Sequence, residues 1–139
     1  MAGKFRTKHQ AQNMRKHCWA CTDCANMSST KFDICGHCHS HSVQYFASKS
    51  EFQRFALLRT LQKAGHIRNL KLQPAFPISI NGEHVTTYKA DFQYIDKDGK
   101  LVVEDVKGTT NEKYLDSVFK LKAKMVRAYY GFEIQLVKV

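Results

Sequence analysis

The sequence predicts an α/β (α+β) domain preceded by a small metal-binding module. Short β-like runs bounded by turn residues lie between two stretches of helical periodicity. All five cysteines fall between residues 18 and 38, at Cys-x-x-Cys spacing. Hydrophobic residues make up 43% and charged residues 24% of the 139, which suits a chain that buries a core and excludes wholesale disorder. The predicted organisation is a basic arm over 1–17, a zinc-ribbon-like module over 18–46 and a mixed domain over 47–139.

In the arm, Lys4, Arg6, Lys8, Arg15 and Lys16 all precede the first acid, Asp23. Such a segment is either a solubilising tail or an arm that contacts DNA. The 18–46 stretch is too short for a hydrophobic core, and modules below about 40 residues generally need a metal or disulfides to fold. From Ser48 the composition becomes that of an ordinary domain. Ser48-Lys49-Ser50-Glu51 fits a capping box, with Phe52, Phe55, Leu58 and Leu61 at helical spacing behind it and Gly65 as the stop. Strands are expected over 67–72, 75–80, 84–95 and 101–106, with Asn81-Gly82 and Asp98-Gly99 as turns. A second helix is expected over 111–130, ending at Gly131, and 132–139 alternates as a last strand.

An odd cysteine count in a chain without an export signal argues against disulfides and for an intracellular protein. Two Cys-x-x-Cys knuckles give Zn²⁺ its tetrahedral shell, and a closed site of four thiolates is structural, because no position remains for water. Cys35-Gly36-His37-Cys38 forms one knuckle. The other is Cys18-Trp19-Ala20-Cys21 or Cys21-Thr22-Asp23-Cys24, so the expected set is Cys18, Cys21, Cys35 and Cys38, with Cys24 as the alternative to Cys18. His37, His39 and His41 serve as replacement ligands or as surface imidazoles near phosphate. Trp19, Tyr45 and Phe46 either stack on bases or fill the module's interior.

A net charge of +10 makes a polyanion the leading partner. No apolar run approaches the roughly 18 residues of a membrane span. On a helical wheel of the second helix, Leu115, Val118, Phe119, Met125, Val126 and Tyr129 share one arc, with Lys122 in its middle. Lys122 either reaches an active site and its phosphate or snorkels at the edge of the sheet. Lys113, Lys120, Lys124 and Arg127 form the opposite arc, which is a solvated face or a DNA track.

The strand over 101–107 carries the sharpest chemistry. Alternation places Asp105 and Lys107 on the face shared by Leu101 and Val103, and turns Glu104 away. A carboxylate and an ammonium at the end of an apolar strand are costly to bury unless paired or used. Antiparallel pairing across the Asp98-Gly99 turn brings Asp91 beside Asp105. Two carboxylates with a backbone carbonyl such as that of Val106 make a hard-oxygen site suited to Mg²⁺; a plain strand-end salt bridge is the competing explanation.

Asp91 followed by Asp105-x-Lys107 on the next strand resembles the PD-(D/E)xK nuclease superfamily. Tyr88-Lys89-Ala90-Asp91-Phe92, Val103-Glu104-Asp105-Val106-Lys107-Gly108 and Ser48-Lys49-Ser50-Glu51 look more specifically like a family of small phage endonucleases, over about residues 47 to 137. The resemblance implies a restriction-endonuclease-like mixed sheet flanked by helices, and a DNA phosphodiesterase dependent on Mg²⁺ or Mn²⁺. By position, Asp91 and Asp105 are its metal ligands, Lys107 handles the attacking water, and Glu51 is the helix-borne acid that completes or supports the site. Ala90 stands where the superfamily has proline. The substrate is DNA, with branched DNA among the candidates, and a homodimer would cut both strands. In an infected cell such an enzyme works in the host cytoplasm. The competing functions are a non-catalytic zinc-containing nucleic-acid-binding protein and, more weakly supported, a toxin-like RNase.

Overall fold

The computed structural model describes residues 16–139, so most of the basic arm, including Lys4, Arg6, Lys8 and Arg15, lies outside the described residues. The chain forms two compact units, the first ending at Ala56 and the second starting at Leu57. The division falls within the first helix, later than the 46/47 boundary read from composition. Among the described residues no helix is long and apolar enough to cross a membrane.

The first unit is built on a three-stranded antiparallel sheet of order β2-β1-β3, with β1 at Cys18–Cys21, β2 at Met27–Ser28 and β3 at Val43–Phe46. Cys18 pairs with Phe46 and Trp19 with Tyr45 across β1 and β3. Helix α1 (Lys49–Lys63) opens on the expected capping box. The Ser48 hydroxyl accepts the Glu51 N–H at 3.2 Å, and a Glu51 carboxylate oxygen accepts the Ala47 N–H at 3.2 Å. Phe46 stacks on Phe55 at 5.2 Å between ring centroids, so the start of the helix closes the sheet's inner side. Gly65, at φ 81, follows the helix, a conformation glycine reaches without a Cβ clash.

The second unit contains β4 (Arg68–Leu72), β5 (Ala75–Ile80), β6 (Glu83–Lys89), β7 (Phe92–Ile95), β8 (Leu101–Val106), helix α2 (Ser117–Tyr130) and β9 (Gln135–Val137). A four-stranded sheet runs β4-β7-β8-β9, and β5-β6 forms a separate hairpin. Pairing is antiparallel except between β8 and β9, which are parallel, so the sheet is mixed. Parallel neighbours need a crossover connection, and α2 lies within it. The hairpin turn Asn81-Gly82 has positive φ at both residues, 50 and 79, as a two-residue turn of the type favoured by strand twist requires. Ile78, Tyr88, Ala90, Val103 and Val126 form a buried cluster, with Phe76, Phe119, Met125, Phe132 and Ile134 packed against it.

Three expectations are corrected here. The run 84–95 is two strands, Glu83–Lys89 and Phe92–Ile95, with Asp91, a residue expected to begin or interrupt a strand here, lying in the break. The helix expected over 111–130 is a short 3₁₀ turn at Glu112–Tyr114 followed by α2. Two start signals lie in that stretch: the Asn111 side chain caps the turn and the Asp116 carboxylate caps α2 through the Phe119 N–H at 3.0 Å. Leu115 is extended between them (φ −77, ψ 144) and cannot belong to the wheel. The buried side of α2 is accordingly rotated toward Phe119 and Val126, leaving Val118 56% and Tyr129 55% exposed.

Candidate functional site

Two clusters of reactive side chains stand out, one in each unit. In the first, the sulfurs of Cys21, Cys24, Cys35 and Cys38 lie within 4.8 Å of one another. Tetrahedral Zn–S bonds of about 2.3 Å set sulfurs about 3.8 Å apart. Cys21–Cys38 and Cys24–Cys35 approach to 3.5 Å, so the donor set fits zinc.

Backbone geometry identifies the fourth ligand. The Cys21 N–H donates to Asn26 O at 2.9 Å and the Ala25 N–H donates back to Cys21 O at 2.9 Å. Around Cys35 the same two bonds recur, Cys35 N–H to Ser40 O and His39 N–H to Cys35 O, both at 2.8 Å. Ala25 (φ 62) and His39 (φ 60), each following the second cysteine, share the left-handed conformation. The two knuckles are thus backbone copies of one another. Cys18 in the expected set is replaced by Cys24, because residues 18 to 21 are an extended strand and not a turn. Three residues of strand separate Cys18 from Cys21 by about 10 Å.

The thiols also respond to one another. The backbone N–H of Cys38, and then that of His37, draw the Cys35 thiol down to about 6 against its burial. The Ser40 N–H acts in the same sense on Cys38, but burial and the sulfurs of Cys21, Cys24 and Cys35 carry that thiol up to about 12. Four thiolates this close repel one another unless a cation lies between them. The Asn26 amide donates to Cys35 Sγ at 3.8 Å and supports one ligand from outside the tetrahedron.

The second cluster lies at the end of β8. Phe92 pairs with Glu104 at the end of the β7–β8 ladder, and Asp91 lies immediately before it in the chain, against the end of β8. The Asp91 N–H donates to Glu104 O at 3.0 Å, its carbonyl accepts the Gln73 N–H at 2.9 Å, and its Oδ2 accepts the Val106 N–H at 2.7 Å. Asp105 is buried, with Oδ1 2.9 Å from Lys107 Nζ and Oδ2 accepting the Tyr88 hydroxyl. Lys107 Nζ also lies 4.3 Å from the centroid of Phe119 on α2, over the ring. Glu104 points the other way, as alternation requires, and accepts the Tyr94 hydroxyl at 2.5 Å. Asp91, Asp105 and Lys107 are therefore brought together.

Tyr88 and Phe119 are the members that sequence reasoning missed. Burial, then the charge and hydrogen bond of Asp105, hold the Tyr88 hydroxyl protonated far above the usual phenol range. Its signal was its place on the strand leading to Asp91, but a strand-borne tyrosine next to Ala90 and Phe92 reads as core.

Lys120, Lys124 and Arg127 line a groove of about 610 Å³ together with Phe119, Ile134 and Leu136; Asp91, Asp105 and Lys107 are not in its lining, and Phe119 is the residue it shares with their surroundings. Arg127 is engaged there by Glu133 at 3.3 Å. Lys122 is half-buried and lies outside that lining. The Glu51 carboxylate serves the start of α1 as its cap.

A family model described as a protein of unknown function (DUF1064) matches residues 40–138, so the chain belongs to this family. No curated protein matches it.

Proposed function

We propose that this DUF1064-family chain is a DNA endonuclease of the PD-(D/E)xK type that hydrolyses phosphodiester bonds with Mg²⁺ or Mn²⁺, in a restriction-endonuclease-like second unit. The observation that carries the reading is the fixed juxtaposition of Asp91 and Asp105 with Lys107 on the Asp105 face. N–H and C=O groups of one strand residue leave on the same side, so the Val106 carbonyl faces the side from which its N–H reaches Asp91. Asp91, Asp105 and that carbonyl would hold the cation as hard oxygen donors. The cation would supply the positive charge that stabilises the transition state of phosphodiester hydrolysis.

The chain's own groups divide the remaining work. Lys107 orients the attacking water or takes its proton, and Tyr88 keeps Asp105 in place through its other oxygen. Phe119 supports the lysine from below. Lys120 and Lys124, with Arg127 shared between Glu133 and phosphate, line a track for the DNA backbone; Lys122, on the opposite arc of α2, would be a separate phosphate contact outside that track. The four-cysteine site holds structural Zn²⁺. Cutting both strands of a duplex requires two copies, which light scattering of the DNA complex would register.

One observation favours a second reading, a zinc-containing DNA-binding protein without catalysis. Both Asp105 oxygens already have partners, Lys107 and Tyr88, and so need no cation. Supercoiled plasmid and a branched DNA, incubated with zinc-loaded protein with and without Mg²⁺ or Mn²⁺, separate the two. Cleavage by the wild type, lost in Asp105→Asn with binding retained, supports the nuclease. Tight binding with no cutting under either metal rejects it in favour of the binder.

A further inference from the structure

We infer that the outer face of the first sheet is a stacking platform for the unpaired bases of single-stranded DNA. Strand alternation normally gives such a face small or polar side chains, while the opposite face of β1 and β3 buries Cys18, Ala20 and Phe46. Here the outer face carries rings. Trp19 and Tyr45 are direct cross-strand partners, with centroids 5.1 Å apart at 61°. His17, two residues before Trp19 and on the same face, places its ring 5.8 Å from Tyr45 at 33°. Lys31 Nζ lies 5.6 Å from the Trp19 centroid, over the ring.

These rings do not fill a core. Tyr45 is 39% exposed, His17 and Lys31 are exposed, and Trp19 is half-buried. Phe46 takes an interior position of the module, while Trp19 and Tyr45 carry their rings on the opposite face as a cross-strand pair. Aromatic faces accept any base, and the stacking is largely insensitive to sequence. The charge suits phosphate: the chain carries a net +10, and Lys31 Nζ lies over the Trp19 ring itself. Lys31 sits where it can yield the indole face to a base and take the adjoining phosphate.

The metal centre adjoins this surface. β1 ends at Cys21, the first knuckle, and the Thr22 N–H donates to Ser42 O at 2.8 Å, just ahead of β3. The backbone ladder sets the register that pairs Trp19 with Tyr45, and a zinc ion held by Cys21 would anchor the end of β1 beside it. The choice of DNA over RNA rests on the nuclease reading; the platform does not.

Trp19 is the sole tryptophan, so its emission reports the platform directly. The test uses the zinc-loaded full chain without Mg²⁺, titrated with oligo-dT of about ten nucleotides, oligo-rU and a blunt duplex. Saturable quenching by oligo-dT is expected, weaker with duplex. Tyr45→Ala should weaken oligo-dT binding about tenfold, while Tyr45→Phe, which keeps the ring, should retain it. Zinc content is measured for both variants, and normal zinc with lost binding assigns the effect to the ring. Unchanged emission, equal quenching by duplex, or full affinity in Tyr45→Ala would overturn the proposal. Tighter binding of oligo-rU would overturn its DNA assignment. No cleavage is read, so failure here and failure of the nuclease reading are separate results.

Discussion

Replacing Cys24 by serine removes one of four thiolates from a centre whose backbone is otherwise intact. Structural zinc sites bind with about 10–16 kcal/mol near neutral pH, so one ligand's even share is roughly 3 kcal/mol, or about two decades in affinity. Cys18→Ser serves as the contrasting variant. Cys18 is 1% exposed and belongs to a strand, so a hydroxyl there costs about 1–3 kcal/mol of stability without touching the metal. Competition against a chromophoric chelator measures affinity, and a thermal melt of the zinc-loaded protein measures stability. Cys24→Ser should surrender zinc to the chelator, and Cys18→Ser should melt early while keeping it. The reverse pattern, with Cys18→Ser losing zinc and Cys24→Ser holding it, would refute the assignment from the paired knuckles.

Tyr88→Phe should cost about 1.5–3 kcal/mol near neutral pH, as the loss of a hydrogen bond to a charged group, measured by urea unfolding. Because folding raises the Tyr88 pKa, its stabilisation is complete below the ordinary tyrosine range near pH ~10 and fades as pH rises further. The alkaline loss of stability should therefore be shallower in Tyr88→Phe. Glu51→Ala should lower stability by about 1 kcal/mol through the capping box, and Glu51→Gln, which retains an acceptor, by less. Cleavage lost in Glu51→Gln at unchanged melting temperature would show a role beyond the cap. Val126→Ala, at a fully buried position, should destabilise the second unit by about 2 kcal/mol by calorimetry.

Patterns local in sequence were the legible ones. The capping box, the Asn81-Gly82 turn and the alternation of 101–106 depend on neighbouring residues, and the corresponding elements form where expected. The expected pairing of Asp91 with Asp105 was less legible, because the ladder ends at Phe92–Glu104 and Asp91 meets β8 through Glu104 O and the Val106 N–H. The second helix was harder: Asn111 and Asp116 are both good caps, and only packing of Phe119 and Val126 shows which one starts the helix. The fourth zinc ligand was hidden because Cys21 belongs to two overlapping Cys-x-x-Cys pairs. What separates them is the left-handed residue after the second cysteine, Ala25, and alanine gives no hint of that conformation. Tyr88 was hidden because its polar tip is buried beneath the carboxylate it serves.

The gap between β6 and β7 bears on how the site can be probed and altered. Asp91 sits where the chain leaves the hairpin for the larger sheet, and its N–H and C=O are held by Glu104 and Gln73. The adjoining Ala90 N–H is held by Pro74 O at 3.1 Å. None of these three bonds uses a side-chain atom of residue 91. The position behaves as a socket cast in main chain, into which different headgroups can be fitted while the socket keeps its shape. The side chain adds one further bond, from the Val106 N–H to Oδ2, so an exchange that keeps an acceptor, such as Asp91→Asn, changes donor chemistry with little disturbance, whereas an apolar one leaves the Val106 N–H unpaired. The socket thus separates what the main chain holds at this point from the one bond that depends on the headgroup placed there.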